Sequence, residues 1–236
     1  MTWTRLNVIV EGQTEEEFVN EVLGPHLLQF HVLVVARAVS HVRRRVVTIQ
    51  GNLLERRKVV CGRGGLGNFS DLRDDIHRWT REDHSTEARF TTMVDLYAYP
   101  TDSPHSDEAQ RLPPYEKVRL LEQGLAESVN DWRFIPYVQL HEFETMLYAD
   151  LSKWPSYFLG QQNAVNALAS SVDSFNNIEL INDDERTAPS KRILEYLPEY
   201  DKVFAGNILA MEIGLPAMRT KCAHFNAWLT SLENLR

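Results

Sequence analysis

The sequence has few of the features that mark secreted, membrane-spanning or zinc-binding proteins. Its 236 residues include two cysteines, Cys61 and Cys222. Their spacing forms no ligand motif, which argues against a disulfide framework or structural zinc site and favours a reducing compartment. No apolar run approaches the length that spans a bilayer, and the run near the N-terminus is too short for a signal peptide. We therefore expect a cytoplasmic protein with no membrane partner.

Other familiar catalytic patterns are also missing. The eight histidines show no zinc-ligand spacing, and no Gly-x-Ser-x-Gly elbow supplies a hydrolase nucleophile. The stretch "GRGGLG" lacks the Gly-Lys-Ser/Thr that ends a phosphate-binding P-loop, so we interpret it as a loop. The formal net charge of −8 argues against a generic nucleic-acid coat protein, although local charge can differ.

The distribution of apolar residues predicts an α/β protein. Segments such as "LNVIV", "HVLVVARAV", "RFTTMVDLYAY" and "RFIPYVQL" are typical of strands. Helical patterns alternate with them, which favours a parallel-rich sheet flanked by helices. From about residue 151 the pattern becomes helical. We expect an α/β domain over residues 1–150 and a helical C-terminal lobe over residues 151–236 that packs on it.

Acidic residues follow three of the predicted strands. Glu11 comes after "NVIV", Asp95 after "TTMV", and Glu142 and Glu144 after "VQLH". Because the carboxyl ends of parallel strands share one edge of a sheet, these acids could converge. Clustered carboxylates bind hard cations such as Mg²⁺ or Mn²⁺, which suits phosphoryl chemistry. Glu142 and Glu144 could share a site only if their segment is extended, because residues two apart on a helix point in nearly opposite directions.

Each acid alone also has a structural interpretation, since acids after strands often cap helices or lie in a first helical turn. Glu11 fits this interpretation poorly, because it ends the strand before the turn residue Gly12. Thr14 is already available as the helix N-cap, in a capping-box pattern with Glu17. Three acids do fit a solvated first helical turn: Glu15, Glu16 and Glu17.

Two basic segments are candidates for phosphate contacts. Residues 37–63 contain eight basic residues and one acidic residue, a local charge of +7, and such a segment can bind nucleic acid independently of its base sequence. A basic hairpin docked on an acidic partner and a charge-protected edge strand are the alternatives. The residues that we expect to contact nucleic acid in this segment are Arg43, Arg44 and Arg45.

The second candidate segment is "TAPSKRI", where Ser190, Lys191 and Arg192 lie at a predicted helix start. Free N–H groups, a hydroxyl and two cations make a reasonable phosphate site. Alternatively, Thr187 or Ser190 caps the helix and the two cations are solvated. Lys202, which follows the turn "EYD", is a secondary candidate.

Five motifs run in order along nearly the whole chain: "VEGQTEEEFV", "MVDLYAYPTDSP", "YVQLHEFETMLYAD", "TAPSKRI" and "EIGLPAMRTKCAHFNAWL". Together they resemble a family of prokaryotic TOPRIM-like proteins of unassigned function, similar in core to the overcoming-lysogenisation-defect (OLD) nucleases. The resemblance implies a magnesium site made by a glutamate after the first strand and an Asp-x-Asp after a later one. Glu11 matches the glutamate and Asp95 the first aspartate, whereas Tyr97 stands at the second aspartate position. Glu142 or Glu144 could replace that ligand.

The resemblance also implies a function and a partner. Relatives of this kind are often encoded beside an ABC- or SMC-type ATPase and are associated with defence against phage. We therefore expect a Mg²⁺- or Mn²⁺-dependent nuclease subunit that acts on nucleic acid, with DNA favoured, and we leave a homo-oligomer open. The missing second aspartate favours an alternative, a non-catalytic adaptor or sensor bound to the ATPase. A third option is a phosphotransfer or nucleotide-processing enzyme that uses the same acids.

Overall fold

The computed structural model describes residues 2–39, 66–181 and 187–235, together with the backbone alone of residues 42–44 and 58–60. The strands in these ranges are β1 (Thr4–Val10), β2 (Val32–Ala38), β3 (Val42–Arg44), β4 (Lys58–Val60), β5 (Ala88–Asp95), β6 (Phe134–Ile135) and β7 (Val138–Gln139). The α-helices are α1 (Gln13–Phe18), α2 (Gly24–Leu27), α3 (Phe69–Glu82), α4 (Ser106–Ala109), α5 (Pro114–Val129), α6 (Gln162–Val172), α7 (Pro189–Tyr196), α8 (Phe204–Lys221) and α9 (Ala223–Glu233). A π-helical segment, Val19–Leu23, joins α1 to α2, and the 3₁₀ helices are Leu28–Phe30, Phe143–Ser156 and Ile178–Leu180.

Five of the strands form one parallel sheet in the order β2-β1-β5-β6, and β7 also pairs with β5. The described parts of β3 and β4 form a separate antiparallel pair. The prediction of an α/β fold with a parallel-rich sheet flanked by helices is confirmed. The chain runs from β1 to β2 on one side and then to β5 on the other side of β1. The β1/β5 boundary is therefore a topological switch point, where such sheets place their ligands.

The last predicted strand, "RFIPYVQL", is divided into β6 and β7 at Pro136. Proline has no backbone N–H to donate to a neighbouring strand. At this break the Thr92 hydroxyl takes part in the pairing, since Oγ1 donates to the carbonyl of Tyr137 and accepts from its N–H, both at 2.9 Å. The neighbouring strand therefore stays attached to β5 as far as its carboxyl end, where the acidic residues lie.

Successive side chains of β1 point to opposite faces of the sheet, and a hydrophobic core lies on each face. Leu6, Val8 and Val10 face the larger core, where they pack with residues of α1, α8 and α9. Ile9 faces the smaller core, beneath α3 and α5. A strand buried on both faces has the near-continuous apolar sequence seen in "LNVIV", as expected for a parallel sheet between two helical layers.

The first helix begins two residues earlier than predicted. Its N-cap is Gly12, in extended conformation, and Thr14 lies buried in the first turn. The side chain of Glu15 reaches back and accepts a hydrogen bond from the N–H of Gly12 at 3.0 Å. The predicted capping box of Thr14 and Glu17 is therefore wrong, because Glu15 already satisfies the first free N–H group of the helix.

Residues on both sides of position 150 contribute to the larger core. Val8, Trp154 and Phe225 are all members of it, and the 3₁₀ helix Phe143–Ser156 crosses the predicted domain boundary. The division into an α/β domain over residues 1–150 and a helical lobe over residues 151–236 that packs on it stays a prediction. None of the helices in the described ranges is long and apolar enough to cross a membrane.

Candidate functional site

Glu11 and Asp95 lie side by side at the switch point of the sheet. Glu11 directly follows β1, Asp95 ends β5, and these two strands are hydrogen-bonded neighbours. The backbone N–H of Asp95 donates to Oε2 of Glu11 at 3.3 Å. The two acids that the strand-end pattern singled out are thus held together by the register of two adjacent parallel strands.

Glu15 is a third acid at this position, and the prediction that it is solvated is wrong. The residue is 3% exposed. Its Oε2 accepts from Gly12, as described above, and its Oε1 lies 4.0 Å from Nζ of Lys202. Glu15 is buried because it lies one turn before Phe18 on the face of α1 that packs inward.

Glu142 and Glu144 follow β7, beside the end of β5. His141 has a left-handed backbone (φ 60°), and Glu142 is extended (φ −142°, ψ 161°) before the 3₁₀ helix begins. A residue other than glycine rarely adopts a left-handed conformation, and such residues cluster at functional sites. Glu144 is completely buried, and its Oε1 accepts a hydrogen bond from the hydroxyl of Tyr200 at 3.3 Å.

The ammonium of Lys202 lies among these carboxylates. Its Nζ is 3.3 Å from Oε2 of Glu144 and 3.4 Å from Oδ2 of Asp95, in addition to the contact with Glu15. The side chain reaches the site from the turn between α7 and α8 and remains 39% exposed. It therefore provides one positive charge at the point where the cluster meets solvent.

One ammonium is too little charge for the carboxylates that surround it. We name as the carboxylate cluster these five residues: Glu11, Glu15, Asp95, Glu142 and Glu144. Burial and the charge of Glu15 raise the pKa of Glu11 to about 7, although Lys202 acts in the opposite direction. Burial also raises the pKa of Asp95 well above its usual range and raises that of Glu144. Burial lowers the pKa of Lys202, but Asp95 and Glu144 outweigh it, so the net shift is upward and the lysine is charged.

The cluster has the donor chemistry of a site for a hard cation. Oδ1 of Asp95 is buried and has no hydrogen-bond partner among the described residues, and leaving a buried carboxylate oxygen unsatisfied is unfavourable. Mg²⁺ and Mn²⁺ prefer carboxylate oxygens. As the described side chains stand, no three His, Cys, Asp or Glu residues are placed to hold one metal ion. A cation would therefore bind with adjustment of the side chains around Lys202.

The predicted phosphate site at "TAPSKRI" is already filled by a carboxylate. The N–H and the hydroxyl of Ser190 both donate to Glu142, at 2.9 and 3.0 Å, so the side chain of Glu142 lies at the start of α7. Lys191 is exposed, and the guanidinium of Arg192 lies over the ring of Phe175 at 5.6 Å. Phosphate binding by these three residues stays a prediction.

The basic segment of residues 37–63 falls mostly outside the described residues. Arg45 lies outside them, as do Cys61 and most of the stretch "GRGGLG", and for Arg43 and Arg44 only the backbone is described. Arg37 is described, and its guanidinium donates to Asn7 and Glu82 at 3.1 Å each. This one cation of the segment has an internal structural role.

Two residues of the site are not singled out by the sequence: it predicts that Glu15 is solvated, and Lys202 is only a secondary candidate. Glu15 carried a signal that could have been used, since its spacing of three and four residues from Phe18 and Val19 places it on the apolar face of the helix. Lys202 carried none, because it lies 107 residues from Asp95 along the chain. Lys202 precedes α8, and it reaches the acids because α8 packs against α1 and the 3₁₀ helix Phe143–Ser156.

Comparison with known proteins identifies a family for this chain. A family model described as "Domain of unknown function (DUF4276)" matches residues 10–233, and no functionally curated protein matches the chain. A similar solved structure is the C-terminal region of the OLD protein of Xanthomonas campestris pv. campestris, with 12% identity, 98% of each chain covered and a TM-score of 0.35. At that TM-score the similarity does not by itself establish a shared fold. The family model includes the whole carboxylate cluster and Lys202, and the chain belongs to the DUF4276 family.

Proposed function

We propose that the protein is a nuclease subunit that hydrolyses phosphodiester bonds with Mg²⁺ or Mn²⁺ bound at the carboxylate cluster. The observation that carries this proposal is the convergence of buried, mutually repelling carboxylates on one edge of a parallel sheet, at its switch point. Such a cluster repels itself unless cations balance it, and Lys202 supplies a single charge. Perturbed pKa values of this kind are typical of functional sites.

The residues of the cluster would have different roles. Glu11, Asp95 and Glu144 would hold the cation, because they are the acids with raised pKa values. Glu142 is anchored to the start of α7 through Ser190 and would fix the geometry of the segment that carries Glu144. When bound, the metal supplies an activated water and neutralises charge on the phosphate.

Lys202 would connect the cluster to the substrate. Its ammonium lies at the exposed side of the acids, on a long and flexible stem. An approaching phosphate would offer the lysine a new anionic partner, which would leave Asp95 and Glu144 available to hold a cation. The lysine would then orient the phosphate and stabilise the charge that develops on it during hydrolysis.

A plasmid-cleavage assay in Mg²⁺ tests the proposal directly. We expect Glu11→Gln and Asp95→Asn each to lower the rate about 100-fold or more, as for the loss of a preorganised charge-stabilising group. Glu16→Gln is the matched control, because Glu16 lies in the same helix as Glu15 and its side chain makes no hydrogen bond or ion pair with any described residue. Equal cleavage by wild type and Glu11→Gln would remove Glu11 from the mechanism.

A second candidate function is that of a non-catalytic adaptor or sensor. Two observations favour it: Tyr97 stands at the position where the resemblance implies a second aspartate, and the Lys202 ammonium already lies between the acids. In that case calorimetry would detect no Mg²⁺ or Mn²⁺ binding, and wild type and Glu11→Gln would both leave the plasmid intact.

The resemblance to TOPRIM-like relatives extends the proposal to a partner and a role. We propose that an ABC- or SMC-type ATPase binds this subunit and that the pair acts in defence against phage, with DNA as the substrate. Co-purification of the chain with an ATPase encoded beside it would support the partnership. Unchanged phage plating after deletion of the gene would contradict the defensive role.

A further inference from the structure

The ammonium of Lys202 is surrounded by carboxylates from three different elements. Its Nζ contacts Glu144, Asp95 and Glu15 at 3.3, 3.4 and 4.0 Å. These acids belong to the 3₁₀ helix Phe143–Ser156, to β5 and to α1. Each of them is at most 4% exposed, and among the described residues Nζ makes no hydrogen bond or ion pair outside the cluster. The lysine therefore lies at the point where buried acids of three elements need a cation.

This lysine is held less tightly than Arg133, a buried cation at the other end of the strands. Arg133 is 8% exposed, and its Nη2 lies 2.7 Å from Oδ2 of Asp131 and 2.9 Å from the carbonyl oxygen of Thr80. Charge-assisted hydrogen bonds have lengths of about 2.7–2.9 Å. All the contacts of Lys202 are longer, and Oδ1 of Asp95 is buried without a hydrogen-bond partner in the described ranges. A divalent cation, with twice the charge and several oxygen ligands at about 2.1 Å, suits these oxygens better than one ammonium does.

The lysine side chain can leave the cluster while the backbone stays in place. The turn that carries it is fixed by Asp201, whose Oδ1 accepts from the N–H of Phe204 at 2.7 Å. The hydroxyl of Tyr200 ties the same turn to Glu144 at 3.3 Å. The Lys202 side chain is 39% exposed and has a flexible four-carbon stem. Rotation about its side-chain bonds is therefore enough to carry the ammonium into solvent.

We propose that Lys202 competes with the metal: its ammonium occupies the cation position between Asp95 and Glu144 in the free protein, and a divalent cation binds there only when the ammonium moves out. This inference rests on the proposed function and concerns the regulation of that same site. A metal ion and an ammonium at this position repel each other, and burial strengthens the repulsion because the local dielectric constant is low. The free chain accordingly binds Mg²⁺ or Mn²⁺ weakly.

A phosphodiester weakens this competition. Its anionic oxygen gives the displaced ammonium a new partner at the exposed side of the cluster, so the ammonium leaves Asp95 and Glu144 more readily when a diester is present. By linkage, the metal and the diester then raise each other's affinity by the same factor. The site therefore takes up metal chiefly when a nucleic-acid backbone is present, and the free subunit stays inactive.

Electron paramagnetic resonance of Mn²⁺ with the full-length protein tests the competition, because the signal of free Mn²⁺ reports binding without any cleavage. We expect Lys202→Met and Lys202→Gln to bind Mn²⁺ about tenfold more tightly than wild type, within the usual range of coupling between two sites. Lys202→Arg keeps the charge and should bind as weakly as wild type. Lys153→Met is the matched control, because Lys153 is exposed in the 3₁₀ helix that carries Glu144 and its side chain makes no hydrogen bond or ion pair with any described residue.

Two small esters test the coupling. Dimethyl phosphate carries the single negative charge of a phosphodiester, whereas trimethyl phosphate has a similar shape and no charge. We expect dimethyl phosphate to tighten Mn²⁺ binding by wild type, and trimethyl phosphate to leave it unchanged. In Lys202→Met the effect of dimethyl phosphate should be smaller than in wild type. A protein-free blank corrects for Mn²⁺ that the ester itself binds.

Several outcomes would overturn the inference. They are Mn²⁺ binding by Lys202→Met that is no tighter than that of wild type, an equal gain in Lys153→Met, and an equal effect of dimethyl phosphate on wild type and Lys202→Met. Plasmid cleavage separates this inference from the proposed function. If Lys202→Met binds Mn²⁺ more tightly but wild type and Glu11→Gln cleave equally, the catalytic assignment fails and the competition stands. If only wild type cleaves and Lys202→Met gains no affinity, the nuclease stands and the competition fails. Absence of Mn²⁺ binding by every variant refutes both.

Discussion

Glu179 and the carboxylate cluster are both buried, but they differ in the hydrogen-bond donors that surround their oxygens. Glu179 is completely buried, and its oxygens accept from the hydroxyl of Tyr115 at 2.6 Å and from the N–H groups of His224 and Phe225 at 3.0 and 3.1 Å. Those amides begin α9, where the helix dipole favours a negative charge. Asp95 is 4% exposed, yet its Oδ1 has no hydrogen-bond partner in the described chain, and its Oδ2 shares the Lys202 ammonium with Glu144.

The difference shows that burial alone does not identify a functional acid. What separates the two sets is the number of donors for each oxygen. A structural carboxylate such as Glu179 is surrounded by donors, so its burial stabilises the fold. The oxygens of the carboxylate cluster have fewer donors than they can accept, which lowers stability and leaves them available to a ligand.

The largest effect that we expect is from Glu179→Ala. This change leaves the N–H groups of His224 and Phe225 and the hydroxyl of Tyr115 without their buried acceptor. We predict a loss of about 3 kcal/mol in the free energy of unfolding, measured by urea denaturation. A loss below about 1 kcal/mol would show that water replaces the carboxylate and that Glu179 is not the anchor of α9.

The next largest effect that we expect is the change in the free energy of unfolding with pH that Glu11 causes. Glu11 has a folded-state pKa of about 7 and an ordinary value of 4.5, so the folded state binds a proton more tightly than the unfolded state. Its contribution to stability is fully present below pH 4.5 and is lost as the pH rises to 7. The shift of about 2.5 pKa units corresponds to a loss of about 3 kcal/mol at 1.36 kcal/mol per unit. Urea unfolding of wild type and Glu11→Gln from pH 4.5 to 8 checks this, since the variant should show the smaller decline.

Two amide substitutions compare the effect of charge on stability in the carboxylate cluster and at Glu179. Asp95→Asn replaces a buried carboxyl group, whose ionised form is unfavourable in the cluster, with a neutral amide, and we expect it to raise the free energy of unfolding at pH 7 by about 1 kcal/mol. Glu179→Gln removes a charge that several donors stabilise, and it should lower stability by a similar amount. Thermal unfolding at pH 7 measures both, and two changes of the same sign would refute the distinction drawn between the sets.

The smallest expected effect is that of Lys202→Met. Because this side chain is 39% exposed, solvent screens its charge, and we expect a loss of less than about 1 kcal/mol at pH 8. At pH 5 the loss should be smaller, since Glu11, with a pKa of about 7, is then protonated and no longer attracts the lysine. Urea denaturation at the two pH values provides the measurement. A loss independent of pH would mean that the lysine acts through packing rather than charge.

The fold and the first two acids of the site could be predicted because their signals are local. "LNVIV" and "TTMVD" carry the apolar run of a buried strand and the acid at its end in one short segment. Parallel pairing then brings Glu11 and Asp95 to one edge without further information. The predicted start of α1 is two residues late, because the sequence offers two capping patterns and does not show that Glu15 caps at Gly12 in place of Thr14 with Glu17.

The other members of the site depend on contacts between distant parts of the chain. Ser190 binds Glu142 across 48 residues, whereas the sequence predicts a phosphate contact there, because a helix start attracts any anion, whether ligand or side chain. Lys202 was ranked low for a similar reason, since a lysine in a turn has no local signature of the acids that it will meet.

The sequence by itself determined which elements form, which faces of them are apolar, and that acids end the strands. These properties follow from hydrophobic periodicity, which acts over a few residues. The tertiary structure alone decided that Glu142 is bound at the start of α7 and that Lys202 is the cation of the cluster. The strength of a charge interaction depends on the distance between the groups and on their burial, so it is determined only when packing has brought the charged groups together.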